Sequence, residues 1–335
     1  MHCLAADVGG TKTWLAVFGR SADGGYRAIR SQRYESAAYD NFDAMVREFM
    51  AAGSEPVRRV GVGVAGPVAN GKCVLTNLHW EIDERRLAAE LGLERVSLVN
   101  DFVAVALGIP SLGAADLAVL QQGNVDPAGP VAILGAGTGL GEAILLATEG
   151  GLRVLPTEGG HTGLAPNSPR EIRLLEFLHA KFGHVSWERV LSGPGIKNLY
   201  DFLLSEGAPE SPATRARLET EDAGAVIGGL AVAGSDPTCV ETLDLFGELY
   251  GSEAGDLALK TLATGGVYVA GGIAPRVLSI LKNGKFIAAF NAKGRMARLT
   301  ASFRVAVVLQ SQVGLIGACR AGLGELGTAH IFLRA

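Results

Sequence analysis

At 335 residues, 48% hydrophobic and 19% charged, the chain is long enough for two cores and too apolar to be a disordered polymer. A net charge of −4 without a basic block argues against nucleic acid. Despite a mean hydropathy of +0.26, no apolar run reaches the ~18 residues of a membrane span. Met1-His2-Cys3-Leu4-Ala5-Ala6-Asp7 lacks the basic start of a signal peptide, and Cys3, Cys73, Cys239 and Cys319 stand singly, so a cytoplasmic chain with neither a disulfide framework nor a Cys-x-x-Cys zinc site is expected.

In chain order, Leu4 to Asp7 reads as a short strand, turned by Val8-Gly9-Gly10-Thr11-Lys12 into a second strand, Trp14 to Phe18. The turn Ala22-Asp23-Gly24-Gly25 leads to a third strand near Tyr26 to Tyr34. Asn41 caps a helix whose Phe42, Met45, Val46, Phe49 and Met50 share one face, with Gly53 ending it. Arg59 to Ala65 is a strand; Asp83 to Gly92 encloses a short helix. Val96 to Val99 is a buried strand that stops at Asn100-Asp101, where an apolar helix begins. A carboxylate there is favoured by the helix dipole and points outward from the strand's carboxyl end, although as local structure Asp101 also reads as an ordinary N-cap.

The second half repeats the opening theme. Val131 to Leu134 is a strand, Gly135 to Gly139 a turn, Gly141 to Ala147 a returning strand, Glu149 to Gly151 a turn, and Leu152 to Leu155 a third strand. Two such units more than a hundred residues apart indicate a duplicated lobe. Ser168 and Glu171 form a capping box with Pro169 at the first helical position. Helices are predicted over Gly195 to Ser205, Glu221 to Ala233, Cys239 to Ala263 and Gly314 to Leu326, strands over Gly266 to Ala270 and Arg304 to Leu309. Glu206 to Pro212 is the best candidate for a mobile loop. Alternating strands and helices make the fold α/β.

Three glycine-rich turns after strands suggest phosphate handling, because exposed backbone N–H groups cradle anions. The P-loop is excluded: Gly71-Lys72 and Gly284-Lys285 are followed by Cys and Phe. Gly135-Ala136-Gly137-Thr138-Gly139-Leu140-Gly141 approaches a dinucleotide fingerprint, but a strand rather than a helix follows it. What remains is a pair of hairpin turns, one per lobe, gripping the phosphates of ATP, with Asp7 holding Mg²⁺ through water. Any one of these turns, taken alone, also reads as a tight hairpin.

Asp7-Val8-Gly9-Gly10-Thr11, Val99-Asn100-Asp101-Phe102, Gly135 to Gly141, Glu158-Gly159-Gly160-His161, Leu191-Ser192-Gly193-Pro194-Gly195 and Gly271-Gly272-Ile273 occur in the order seen in bacterial glucokinases. From about residue 4 to beyond 320 the chain resembles their non-zinc branch. The resemblance implies the two-lobed actin-like ATPase (ribonuclease H-like) fold, each lobe a mixed sheet flanked by helices around a cleft. It implies a small lobe of 1–110 plus 300–335, a large lobe of 111–299, and a homodimer. It places the catalytic base on Asp101 and sugar contacts on Asn100, Glu158, His161 and Glu188, with Asn77 a weaker candidate. Nucleotide contacts fall on Gly9, Gly10, Thr11, Lys12, Gly137, Thr138, Gly271 and Gly272. Lys12 stands where the family often has Asn, leaving its role open. No cysteine lies between Cys73 and Cys239, so the structural zinc of the related repressor/kinase family is not expected.

Carboxylates, an amide and a neutral imidazole suit a hexose, whose hydroxyls both donate and accept. Glu158 and His161 alone also read as a metal pair or a solvated turn, though Gly159-Gly160 disfavours the helix a metal pair would want. The expected reaction is phosphorylation of glucose by ATP at the 6-hydroxyl. A kinase for another hexose or amino-sugar, a non-catalytic sugar-binding regulator and a chaperone-like ATPase are the alternatives; the last two are expected to fit less well, because Asp101 and the phosphate turns are intact and 335 residues are too few to include a peptide-binding domain as well.

Overall fold

The computed structural model describes residues 2–21 and 24–325; Ala22 and Asp23 of the expected turn and Leu326 of the last expected helix lie outside them. In chain order the strands of the first half are β1 (His2–Val8), β2 (Lys12–Arg20), β3 (Tyr26–Glu35), β4 (Val57–Val64), β5 (Lys72–Leu75), β6 (Trp80–Asp83) and β7 (Arg95–Asn100), with helices α1 (Phe42–Ala51), α2 (Glu84–Leu91) and α3 (Asp101–Gly108). Strands β8 (Leu117–Gln121), β9 (Val131–Ala136), β10 (Leu140–Thr148) and β11 (Gly151–Thr157) precede helices α4 (Pro169–Phe182), α5 (Gly193–Ser205), α6 (Pro212–Leu218), α7 (Ala223–Ala233) and α8 (Pro237–Thr261). Then come β12 (Gly266–Ala270), α9 (Leu278–Leu281), α10 (Lys285–Asn291), α11 (Ala297–Thr300), β13 (Val305–Val308) and α12 (Val313–Leu323).

Two compact units result: the described residues within 1–116, 145–156 and 310–335, and those within 117–144 and 157–309. One sheet has five strands in the order β3-β2-β1-β4-β7, all within the first unit; the other has six, in the order β11-β10-β9-β12-β13-β8, of which residues 145–156 of β10 and β11 are grouped with the first unit. In both, a three-strand meander, antiparallel in the first sheet, is extended by two parallel strands, which is the duplication expected from the repeated glycine turns. The second sheet adds β8, antiparallel to β13.

The boundary at 300 requires correction. Val305–Val308 pairs with β12 and β8 in the second sheet, so only α12 of the carboxyl-terminal pair belongs to the first unit. The short β5–β6 hairpin, with Cys73, Leu75, Trp80 and Ile82 turned into the core, was not anticipated either. Nor is Glu206 to Pro212 loose. Arg173 pairs with Glu206, Thr238 Oγ1 donates to the Pro209 carbonyl at 2.7 Å, and α6 begins at Pro212.

Local chemistry sets the helix starts. Asn41, Asp83, Ser168, Ser192, Asp222 and Asp236 each accept a backbone N–H of the following turn. Glu171 departs from a reciprocal capping box: its carboxylate accepts from the Asn167 N–H, one residue before the cap. In the second unit α8 is buried along most of its length, with Leu243, Phe246, Leu249, Tyr250 and Ala254 in one core with β9 and β12.

In the first unit α3 and α12 pack backbone to backbone on one face of the sheet. A Cβ on Gly61 of β4 would strike the Ala318 carbonyl of α12, and one on Gly317 of α12 would strike the Ala104 carbonyl of α3. Glycine at these two points lets both helices settle on the sheet, and so fixes the height at which α3 presents its first residue.

Candidate active site

In the first unit, cross-strand register builds a row: Arg33 on β3, Trp14 on β2, Asp7 on β1, Gly63 on β4 and Val99 on β7 lie opposite one another. Directly opposed residues share a face, so Asp7 lies on the face covered by α3. A Cβ on Gly63 would sit 3.7 Å from the Asp101 Cα, which shows how closely the start of α3 approaches the row. The Arg33 guanidinium lies 4.1 Å from the Trp14 ring centroid.

Asp7 is exposed, yet the surrounding protein strips enough water, and Asp101 adds enough negative charge, to push its carboxyl up to about 6; Arg33 pulls the other way. Two carboxylates at the carboxyl ends of β1 and β7, one carrying that repulsion, make a place that favours a cation.

Asn100 and Asp101 divide the end of β7 differently from the N-cap reading of Asp101. The cap is Asn100, whose Oδ1 accepts from Phe102 N at 2.9 Å and Val103 N at 3.3 Å while its Nδ2 donates to the Gly66 carbonyl at 3.4 Å. Asp101 is the first helical residue, and its Oδ1 accepts from Phe102 N at 2.8 Å. The amide thus carries the capping duty and the carboxylate stands one position on, half-buried at the positive end of α3.

The turn Gly9-Gly10-Thr11 is braced from beneath. Gly9 N donates to the Lys12 carbonyl, Ser36 N to the Thr11 carbonyl, and Ser36 Oγ to the Gly9 carbonyl at 3.1 Å. Thr13 Oγ1 and Ser36 Oγ lie 3.0 Å apart, both fully buried. Ser36, following β3, carried no local signal of this role. Lys12 is exposed and pairs with Glu35 at 3.6 Å. The structure also brings Asn77 here: its Nδ2 would lie 3.7 Å from a Cβ on Gly10.

In the second unit, the carboxyl ends of the parallel neighbours β9 and β12 present Gly137-Thr138 and Gly271-Gly272 side by side, since Ala270 pairs with Gly135 and Ile273 N donates to the Ala136 carbonyl. Thr138, Gly271 and Gly272 are exposed. Gly137 N donates to the Gly139 carbonyl and accepts on its own carbonyl from Gly193 N, which ties the turn to the start of α5. Neighbouring parallel strand ends with glycine turns are the usual position for a nucleotide in such sheets.

Glu188 packs against Gly139, and its Oε2 accepts from Leu140 N at 2.9 Å. Glu158 and His161 stand at the two ends of a single helical turn, Gly159–His161, with Glu158 Oε2 and His161 Nε2 3.9 Å apart and both side chains mostly exposed. His161 N donates to the Glu158 carbonyl and Trp187 N to the Thr162 carbonyl, so this turn and the Glu188 segment are fastened together.

A doubled sheet with a glycine turn after the first strand of each copy, an Asn-Asp pair at a parallel strand end and a polar Glu/His/Glu group define the α/β fold of the actin-like sugar kinases. The sequence pattern of the family described as Glucokinase matches residues 4–323. A glucokinase of Synechocystis sp. is 42% identical over 343 aligned positions, covering 95% of this chain and 97% of that relative. A glucokinase from an Antarctic psychrotroph, known from its crystal structure, superposes with a TM-score of 0.85 at 32% identity, covering 96% of this chain and 99% of the other. A ROK family glucokinase from Streptomyces griseus, solved with glucose and AMPPNP, shares the fold with a TM-score of 0.64 at 21% identity, covering 97% and 100%. The chain belongs to the glucokinase family.

Proposed function

We propose that the protein phosphorylates the 6-hydroxyl of glucose with ATP, Asp101 acting as general base. The observation that carries this reading is the carboxylate of Asp101 at the end of β7, beside a second carboxylate and a braced glycine turn, in a chain that matches the glucokinase family nearly end to end.

In phosphoryl transfer the transition state is loose, and positioning with charge neutralisation supplies most of the rate. Asp101 orients the primary hydroxyl and takes its proton as the oxygen bonds to phosphorus. Asn100, Glu158, His161 and Glu188 take the remaining sugar hydroxyls, with Asn77 as a further polar neighbour. The N–H groups of Gly9, Gly10, Thr11, Gly137 and Thr138 receive the phosphates, and Gly271-Gly272 leaves room for the adenosine side. Lys12 is within reach of the same turn and is free to exchange Glu35 for a phosphate at little cost, because exposed ion pairs are weak.

Mg²⁺ fits this arrangement. Asp7 offers hard carboxylate oxygens that would hold the ion through water, and a cation there would relieve the burial and the Asp101 charge that raise its carboxyl. Nucleotide oxygens and water would complete its shell. When bound, the ion offsets charge on the transferring phosphate.

A coupled ADP-release assay over glucose, mannose, fructose and N-acetylmannosamine tests the assignment. Glucose should give the highest kcat/KM, with little ADP release without sugar. A preference for N-acetylmannosamine, or equal ADP release with no sugar, would overturn it.

A further inference from the structure

Beneath the Glu158–His161 turn, the second unit buries two carboxyl groups that the reaction does not use. Glu142 of β10 is 4% exposed and Glu253 of α8 is fully buried. Glu142 Oε1 and both Glu253 carboxyl oxygens lack a conventional hydrogen-bond partner among the described protein groups, and the nearest counter-charge, Lys260 Nζ, is 3.6 Å from Glu253 Oε1 on a largely exposed side chain. Burial opposes ionisation of both groups and the Glu142 charge opposes that of Glu253, which favours one proton held between them.

Glu142 touches the turn directly. A Cβ on Gly159 would collide with Glu142 Oε2, so the carboxyl is the floor on which Gly159 rests. The Glu142 carbonyl accepts from Thr157 Oγ1 at 3.1 Å, and that hydroxyl accepts from Gly159 N at 3.1 Å. Side chain and main chain of one residue thus hold both sides of the turn that carries Glu158 and His161.

We propose that Glu142 and Glu253 act as a one-proton carboxyl pair that positions the sugar-binding turn, Glu253 donating to Glu142 and Glu142 supporting Gly159. They are positioning residues, and the proposal rests on the reading of Glu158 and His161 as sugar contacts. The charged groups facing the pair are Lys260 and Asp256 of α8, the latter held by Lys293 at 2.6 Å, and the Tyr250 hydroxyl, whose oxygen accepts from Ala136 N. Burial first, then the Glu142 charge, pushes the Glu253 carboxyl up to about 8, so it is neutral at pH 7 and ionises just above. Once ionised it repels Glu142, and the support under Gly159 is lost.

The test is steady-state kinetics of the full-length enzyme between about pH 7 and pH 9, with Glu253→Gln, Glu142→Leu, Glu158→Ala and His161→Ala beside it. Binding that needs a group protonated with a pKa of about 8 loses about tenfold over that range. The KM for glucose should therefore rise by about that factor while the KM for ATP stays level. Glu253→Gln, whose amide keeps the donor and cannot ionise, should abolish the rise; Glu142→Leu should show a high glucose KM at every pH. A flat parent profile, or a Glu253→Gln profile matching a rising parent, overturns the proposal. If Glu142→Leu fails to fold, Glu253→Gln alone decides. Glucose KM values unaffected by Glu158→Ala and His161→Ala would overturn the sugar-site reading and the proposal with it. If those two variants raise KM but Glu253→Gln does not alter the pH profile, only the positioning claim falls.

Discussion

At the scale of single residues, Asp7 shows what a carboxylate costs when it is placed near a second one. An acid whose folded pKa lies above its unfolded value contributes stability at low pH and loses it as pH rises through the folded value. For Asp7 that window runs from 3.8 to about 6, so at neutral pH its charge, unlike that of an ordinary exposed aspartate, opposes folding of the ligand-free protein. Asp7→Asn removes the repulsion with Asp101 and, on the proposed reading, also the contact to the nucleotide's cation. The expected outcome is a higher Tm at pH 8 without nucleotide, no gain at pH 4, and kcat lower by roughly 10–100-fold. Thermal unfolding at the two pH values, with turnover beside it, checks this; a lower Tm at pH 8 would mean that Arg33 outweighs Asp101. The Asn100–Asp101 pair carries a related lesson. Both residue types favour helix starts, so local propensity left the cap ambiguous, and the Gly66 carbonyl, which engages Asn100 Nδ2, settles it.

At the scale of elements, the placement of Asp101 depends on helices packed through glycine. α12 lies far along the chain from α3, yet the Ala104 carbonyl sits where a Gly317 side chain would be. Adding a branched side chain there forces α3 off the sheet, with overpacking costs of typically ~1–3 kcal/mol. Gly317→Val should lower Tm and also reduce kcat at saturating glucose, because Asp101 moves with α3. A reduced Tm with kcat unchanged would show that the carboxylate is placed without this contact. Such glycines look unremarkable in the sequence. Gly317 sits in an apolar helical stretch, Val313 to Leu323, and nothing local tells a packing contact from a tolerated small residue.

At the scale of the whole molecule, the repeated meander is what local patterning conveyed well. Glycine turns after Asp7 and after Ala136 marked two copies of one topology, and strand order bears that out from β3 to β7 and from β11 to β13. What stayed hidden was pairing between distant segments. Val305–Val308 reads the same as any buried strand, and only its hydrogen bonds to β12 and β8 assign it to the second sheet. Ser36 beneath the glycine turn and Arg33 in line with Asp7 arise from β2–β3 register, a property no short window contains. The same is true of Glu142 and Glu253, which are 111 positions apart and meet because α8 packs on the sheet. The glycine turns and the Asn-Asp step were legible because each is one contiguous motif with one local geometry.

The account stands or falls on the Asp101 carboxylate as the group that takes the sugar's proton. Asp101→Asn keeps the shape and the half-buried position while removing the base. Calorimetric titration with glucose, paired with turnover at saturating glucose and ATP, should give glucose affinity within a few-fold of the parent and kcat lower by ~10²–10⁴, the usual worth of a general base. Turnover close to that of the parent, with glucose still bound, would contradict the account.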